Sequence, residues 1–281
     1  MNSARHAPTG LATTSELGVL GVRDLDFTVD RVPVGAGLGT LVERYWMTSW
    51  DLPTGRPASV TLLPHPCVNL VFDRGQLMIS GVGSERFTYA YQGRGRVFGI
   101  KFRPGGFQPF HGGPVAELTD QVRPLATLWG ETDATAFADE LAAAAELPDL
   151  VAVAERWLRA HWPEPDSEVA RVGRIVRALL HDRSITRVQD VTERFGLSMR
   201  TLQRLFQRYV GVSPKWVLRR YRLHEAAARL AEGAGGTWAD VAVDLGYFDQ
   251  SHFIRDFVRA VGLTPVAYAE ACLRREAPLS A

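Results

Sequence analysis

Apolar and polar positions along this chain follow two different periods, and the change from one to the other divides it. Between residues 41 and 102, short runs rich in β-branched and aromatic side chains (LVERYWMTSW 41–50, SVTLL 59–63, CVNLVF 67–72, QLMIS 76–80, RFTYAY 86–91, RVFGIKF 96–102) are separated by Gly, Pro and Asp-Arg-Gly turns. Strands at that spacing predict a small barrel or sandwich. Gly93 and Gly95 read as a hairpin tip with Arg94 and Arg96 in solvent. Over 134–161 the period lengthens. Leu150, Val153, Ala154, Trp157 and Leu158 fall at i, i+3, i+4, i+7 and i+8, which predicts helix with one buried face. PEPDSEV (163–169) joins two prolines to acids and reads as a linker; beyond it Val172, Ile175, Val176, Leu179 and Leu180 form the stripe of a helix ending near His181 and Asp182.

The helical half contains an internal repeat. VQDVTERFGLSMRTLQRLFQRYVGVSP (188–214) recurs as WADVAVDLGYFDQSHFIRDFVRAVGLTP (238–265), with Gly196 and Gly246 offset by 50 but Arg204/Arg255, Phe206/Phe257, Gly211/Gly262 and Pro214/Pro265 offset by 51. One extra residue therefore sits in the second turn. Each copy reads as helix, glycine, helix, stop. Thr186 and Thr237 are the expected caps, answered by Gln189 and Asp240, and Gly196 and Gly246 supply the positive φ of a tight turn. In the first copy Leu202, Leu205, Phe206 and Tyr209 face a core, so Arg200, Gln203, Arg204, Gln207 and Arg208 face away. Ser213-Pro214 starts a connecting helix that Gly233 stops, and its nineteen residues would span about 28 Å. That length could set two exposed helices about one DNA turn, roughly 34 Å, apart.

Composition excludes several classes. The 281 residues are 46% apolar with a formal charge of +1, lack the 18-residue apolar run of a membrane span, and begin with a segment that does not read as a signal peptide. The expectation is a cytoplasmic protein. Two cysteines, Cys67 and Cys272, exclude a disulfide-rich scaffold and any multi-thiolate metal site. Gly35, Gly37 and Gly39 are not a dinucleotide fingerprint, because their spacing is wrong and no helix follows. A charge of +1 argues against nucleic acid until it is resolved along the chain. Residues 1–165 carry 14 basic and 18 acidic groups, whereas residues 166–281 carry 18 and 13. Between Glu193 and Glu225 there is no acid, and Arg194, Arg200, Arg204, Arg208, Lys215, Arg219, Arg220 and Arg222 bring eight positive charges. Such segregation suggests an anionic partner, although a solvated basic face has the same composition. Arginine can grip guanine O6 and N7, and glutamine adenine N6 and N7, so a helix with both at one-turn spacing suits base edges.

SMRTLQRLFQRYVGVSPKWVLRRYRLHEAAARL (198–230) and DVAVDLGYFDQSHFIRDFVRAVGLTPVAY (240–268) resemble the AraC/XylS family of transcription regulators, over about residues 170–272. The resemblance implies an α+β two-domain protein. A β-rich, cupin-like barrel or sandwich with C-terminal helices (16–162) would precede an all-α double helix-turn-helix domain (170–272), with a disordered start (1–15), the linker at 163–169 and a tail (273–281). It implies double-stranded DNA as partner, read by helices near 198–210 and 249–260. Base contacts would fall to Arg200, Gln203, Arg204, Gln250, Ser251 and Arg255. Ser198, Thr201, Arg208, Lys215, Arg219, Arg220, His252 and Arg259 would lie nearer phosphates. Leu202, Phe206, Phe253 and Phe257 would be core, and Ile254 and Val258 flank Arg255 on an incompletely polar reading face. The family's usual arrangement leaves a small-molecule effector, a homodimer and, for an activator, RNA polymerase as further partners. No cofactor, metal or membrane is expected.

Residues 38–132 resemble, more faintly, a domain of unknown function found before such halves, through LLPHPCVNLVFDRG (62–75) and GIKFRPGGFQPF (99–110). Trp46, His65, Phe72, Arg103 and Phe107 are its pocket candidates, chosen for an aromatic wall with a few polar groups. Core packing is the competing role for the aromatics, and a turn or rim role for His65. His252 stands without a second ligand at helical spacing, which favours a polar helix-end role over a metal. A second reading makes the protein a DNA alkylation-response or repair protein with Cys67 as methyl acceptor. A third makes it a small-molecule enzyme on a DNA-binding tail.

Overall fold

The computed structural model describes residues 19–20, 27–232, 241–242, 244–245, 247 and 249–274. Strands β1 (Val19–Leu20), β2 (Thr28–Val32), β3 (Val42–Asp51), β4 (Ala58–Leu62), β5 (Asn69–Asp73), β6 (Gln76–Ser80), β7 (Phe87–Tyr91), β8 (Arg94–Phe102) and β9 (Val122–Pro124) make two antiparallel sheets. One has the order β1-β4-β7 and the other β2-β3-β8-β5-β6-β9. All six apolar runs of the sequence are strands. The period-2 register beyond the irregularity at Val42–Arg44 places Trp46, Val71 and Val97 on one face of the large sheet, against Val60 and Tyr91 of the small one. Tyr45, Leu70, Phe72, Phe98 and Ile100 point the other way, into the main core. The result is a two-sheet sandwich with helices on its outer face.

Those helices are α1 (Gln108–His111), α2 (Ala126–Trp129), α3 (Glu131–Ala143) and α4 (Leu147–Ala160). Leu150, Ala154 and Leu158 of α4 are fully buried, with Val153 and Trp157 packed beside them, which is the predicted stripe. The helical span expected over 134–161 is broken at 144–146. There Arg96 hydrogen-bonds the carbonyl oxygens of Ala144 (2.6 Å) and Ala145, satisfying acceptors at the end of α3. Arg96 is thus a cap at the sandwich edge and not the solvated group that the hairpin tip suggested.

The helical half comprises α5 (Ser167–His181), α6 (Val188–Phe195), α7 (Met199–Leu205, continuing through Phe206–Val210), α8 (Pro214–Ala231), α9 (Gln250–Val261) and α10 (Pro265–Arg274). Asp166 caps α5, its carboxylate accepting from the Glu168 N–H at 2.8 Å. α8 serves two cores. Val217, Leu218 and Tyr221 pack with α5, α6 and α7, whereas Leu223, Ala226, Ala227 and Leu230 pack with Phe253, Phe257 and Tyr268. The sandwich joins both: Leu41 and Val82 enter the first helical core, and Leu20 and Leu63 the second. Polar contacts reinforce this junction. Arg220 donates to the Ser84 carbonyl at 2.6 Å, and His224 Nε2 lies 2.9 Å from the Leu63 carbonyl. The two halves, separable by composition, share their cores.

Candidate nucleic-acid interface

The first unit is built by local chemistry at its turn and caps. Gly196 (φ 61, ψ 39) ends α6 in the left-handed conformation, and the Leu197 N–H returns to the Thr192 carbonyl at 2.9 Å. Ser198 then caps α7, its hydroxyl accepting from the Thr201 N–H at 3.1 Å. The start of α6 lies one residue later than the sequence suggested. Arg187 is the cap position and Asp190 the answering residue, its carboxylate taking the N–H groups of Thr186 (2.7 Å) and Arg187 (2.9 Å). Desolvation is the largest single influence on the Asp190 carboxyl and raises its pKa, but the hydrogen bonds from Arg187 and Thr186 together outweigh it and hold the group below the usual carboxylate range. An aspartate that close to two backbone donors outcompetes the neutral Gln189.

Both reading helices hold twelve residues, 199–210 and 250–261, and both end on a left-handed glycine, Gly211 (φ 95) and Gly262 (φ 90). Asp249 caps the second, accepting from the His252 N–H at 2.7 Å. The caps Ser198 and Asp249 are 51 apart, so the extra residue of the second repeat lies before its reading helix. Thr237, Asp240, Gly246 and the stop at Gly233 lie outside the described residues. On α7 and its continuation, Leu202, Leu205, Phe206 and Tyr209 are buried, while Arg200, Gln203, Arg204, Gln207 and Arg208 are exposed. On α9, Phe253, Asp256 and Phe257 are buried. Gln250, Ser251, His252, Arg255, Val258 and Arg259 are exposed, and Ile254 is half-buried. Each helix thus offers solvent one ridge of base-reading chemistry. Glu117 and Glu168 line a groove beside Arg204 and Arg208, so acids from the sandwich side and from α5 temper the charge at that end.

The connector cations behave differently from expectation. Lys215 is exposed. Arg220, assigned to phosphate, is 4% exposed, stacks on the Trp216 ring (4.4 Å to its centroid) and is bonded to Ser84; burial lowers its pKa to about 10. Arg219, assigned likewise, is ion-paired with the buried Asp256 of α9. Arg222 donates to the Thr186 carbonyl at 2.6 Å. These arginines brace the helical cores because their long stems reach polar groups of neighbouring elements. Two signals in the sequence pointed that way: Trp216 and Arg220 at i, i+4, and an acid, Asp256, on an otherwise apolar helix face. His252 fits its helix-end reading, 3.4 Å from Asp256 and edge-on to the Tyr247 ring.

The pocket candidates of the sandwich do not converge. Trp46 lies across Gly99 between the sheets and donates to Asn69 at 3.4 Å, whereas Phe72 faces the opposite core. Arg103 is tied to Glu43 (2.9 Å) and the Gly39 carbonyl (2.6 Å). Phe107 packs edge-on to Phe102, and His65 lies against His224 with ring centroids 4.4 Å apart. Cys67 is buried beside Asn69, and burial raises its thiol pKa. A thiol so enclosed and so far from thiolate is the wrong group to accept a methyl from DNA. Among the described residues no cluster of three metal-ligating side chains occurs, and no helix is long and apolar enough to cross a membrane.

Comparison with known proteins matches residues 191–271 to a helix-turn-helix domain family. Residues 31–124 match a domain of unknown function, DUF6597. Residues 191–271 are an AraC-type helix-turn-helix domain. The transcriptional activator NphR of a Rhodococcus species is 36% identical over 101 residues, covering 36% of this chain and 29% of that protein. The activator RhaS of Pectobacterium carotovorum is 31% identical over 87 residues (31% of each chain), and the regulator ExsA of Pseudomonas aeruginosa 31% over 80 residues (28% of each). Under a third of each of these relatives is spanned. The solved structure of ToxT from Vibrio cholerae aligns over 88% of this chain and 98% of its own at 10% identity with a TM-score of 0.38, a likeness too distant to inform the site.

Proposed function

We propose that this chain is a sequence-specific DNA-binding transcription regulator that sets its two reading helices in successive major grooves. The observation that carries the reading is the pair of capped twelve-residue helices, each with one solvent-facing ridge of Arg, Gln or Ser above a buried aromatic face. Arg200, Gln203 and Arg204 meet base edges from the first helix, and Gln250, Ser251 and Arg255 from the second. Ser198, Thr201, Arg208, Lys215, His252 and Arg259 lie toward phosphates. The eighteen residues of α8 span about 27 Å, a length suited to grooves about 34 Å apart. The names of the matched relatives, activators and a regulator of transcription, support the same reading. Regulation runs through the sandwich, by a small effector or by self-association, with RNA polymerase the further partner of an activator; the site of action is the cytoplasm.

The test is selection of bound duplexes from a random pool, followed by variants on the selected site. Arg200→Ala and Arg204→Ala should each cost about 1–3 kcal/mol and relax preference at one base pair, while Lys215→Ala weakens all sequences alike. Selection of no sequence, or full affinity and preference after loss of both arginines, would refute the reading.

A further inference from the structure

The two reading helices form an internal comparison, equal in length and in their stopping glycines, yet wound differently at the end. In the second, the Gly262 N–H closes an ordinary i−4 bond to the Val258 carbonyl at 2.8 Å. In the first, the Gly211 N–H reaches one residue further back, to the Phe206 carbonyl at 2.8 Å, so residues 206–210 form a π turn. Wide turns of this kind are rare and concentrate at functional sites. Two contacts from outside the unit hold this one. The Thr119 hydroxyl, on the sandwich side, donates to the Gly211 carbonyl at 2.8 Å, and the Tyr209 hydroxyl donates to Asp166 at 2.7 Å. The sandwich also presses on the glycine itself, since a Cβ at 211 would lie 2.9 Å from Thr119 Oγ1 and 3.2 Å from the Val115 carbonyl oxygen. The second helix is held differently: Ala260 stands where Tyr209 does, and the three atoms nearest a Cβ at Gly262 all belong to the flexible guanidinium of Arg86.

We propose that Thr119 is a positioning residue for DNA reading: its bond to Gly211 holds the last turn of the first reading helix in the wide winding and so sets the direction of Arg208. The inference rests on the DNA-binding reading above. An α-wound turn advances about 100° per residue and a π turn less, so rewinding would swing Arg208 around the helix while leaving Arg200 in place. The sandwich thereby adjusts the first reading helix at its last turn.

The experiment compares the full chain with Thr119→Ala, with Thr119→Ser, which keeps the hydroxyl, and with Tyr209→Phe. Amide exchange is followed over residues 204–212 without DNA, and site preference is read by selection from random duplexes. Thr119→Ala and Tyr209→Phe should speed exchange at Gly211 about two- to tenfold, as expected for one lost hydrogen bond. They should also change preference in the half-site of the first helix alone, with Thr119→Ser behaving as the parent. Unchanged exchange in Thr119→Ala overturns the proposal whatever Tyr209→Phe does, as does changed exchange with unaltered preference, or preference altered equally in both half-sites. If the parent chain selects no sequence, the DNA-binding reading fails by itself, while exchange still decides whether Thr119 controls the winding.

Discussion

Arg219→Ala separates a phosphate contact from an internal strut. Arg219 is ion-paired with Asp256, whose side chain is 6% exposed against 33% for the arginine, and the nearest other cation-forming group is His252, 3.4 Å from the second carboxylate oxygen. Removing one partner of a fully buried pair costs about 3–5 kcal/mol, and of an exposed pair about 0–1. With one partner enclosed and the other a third exposed, about 2 kcal/mol should be lost, concentrated in α9 because that helix carries the stranded carboxylate. Global unfolding is a poor readout for a chain with several cores, so amide exchange within 250–261 is the measure. Asp256→Asn removes the charge, and the double variant Arg219→Ala/Asp256→Asn should recover more than half of the loss, as expected for coupled neighbours. The DNA assay runs in parallel. A phosphate contact contributes about 0.9 to the slope of log affinity against log salt, so Lys215→Ala should lower that slope by nearly one and Arg219→Ala should leave it unchanged. A slope lowered equally by both variants, with exchange in α9 unaffected, would refute the strut.

Two further expectations concern the sandwich and its junction with α8. Gly99→Ala should destabilise the two-sheet core by about 1–3 kcal/mol, because the new methyl would lie 2.1 Å from the Trp46 ring; undisturbed tryptophan fluorescence and an unshifted melting curve would contradict this. His224 is wholly buried, and desolvation first, then the charge of Arg220, lower its pKa to about 3 from an ordinary value near 6.5. The folded protein therefore refuses a proton that the unfolded chain accepts below about 6.5. Stability is full above that pH and falls toward pH 3 by about 1.4 kcal/mol per unit. His224→Gln, which keeps a donor for the Leu63 carbonyl, should flatten that decline between pH 6 and 4.5, and equal acid sensitivity in parent and variant would count against it.

Much of the architecture was legible as one-dimensional pattern. The six strand runs, the α4 and α5 stripes, the first helix-glycine-helix unit and the second unit's reading helix are set by near neighbours, through period, caps and left-handed glycines such as Gly196 and Gly211. The solvent ridge of Arg200, Gln203 and Arg204 followed from the same arithmetic, because burying Leu202, Leu205 and Phe206 leaves the opposite face outside. Charge was a poorer guide. The acid-free interval contains exposed Arg200, Arg204 and Arg208, but also Arg219, Arg220 and Arg222, which are consumed inside the fold by Asp256, Ser84 and Thr186. The pocket residues failed for a related reason: Trp46 and Phe72 share a sheet but not a face.

What the sequence alone determined was the six main strands, the longer helices, their order and which side of those helices faces water, since these depend on spacings of a few residues; the short strands and helices, and the break between α3 and α4, it did not. Which arginines remain exposed, which face of the large sheet each aromatic joins, and the winding of the first reading helix were decided only by tertiary structure. Their partners lie far along the chain: Ser84 to Arg220, Thr119 to Gly211, Leu63 to His224. No local periodicity encodes a contact across 90 or more residues, because that contact exists only once two cores have closed around the same helix.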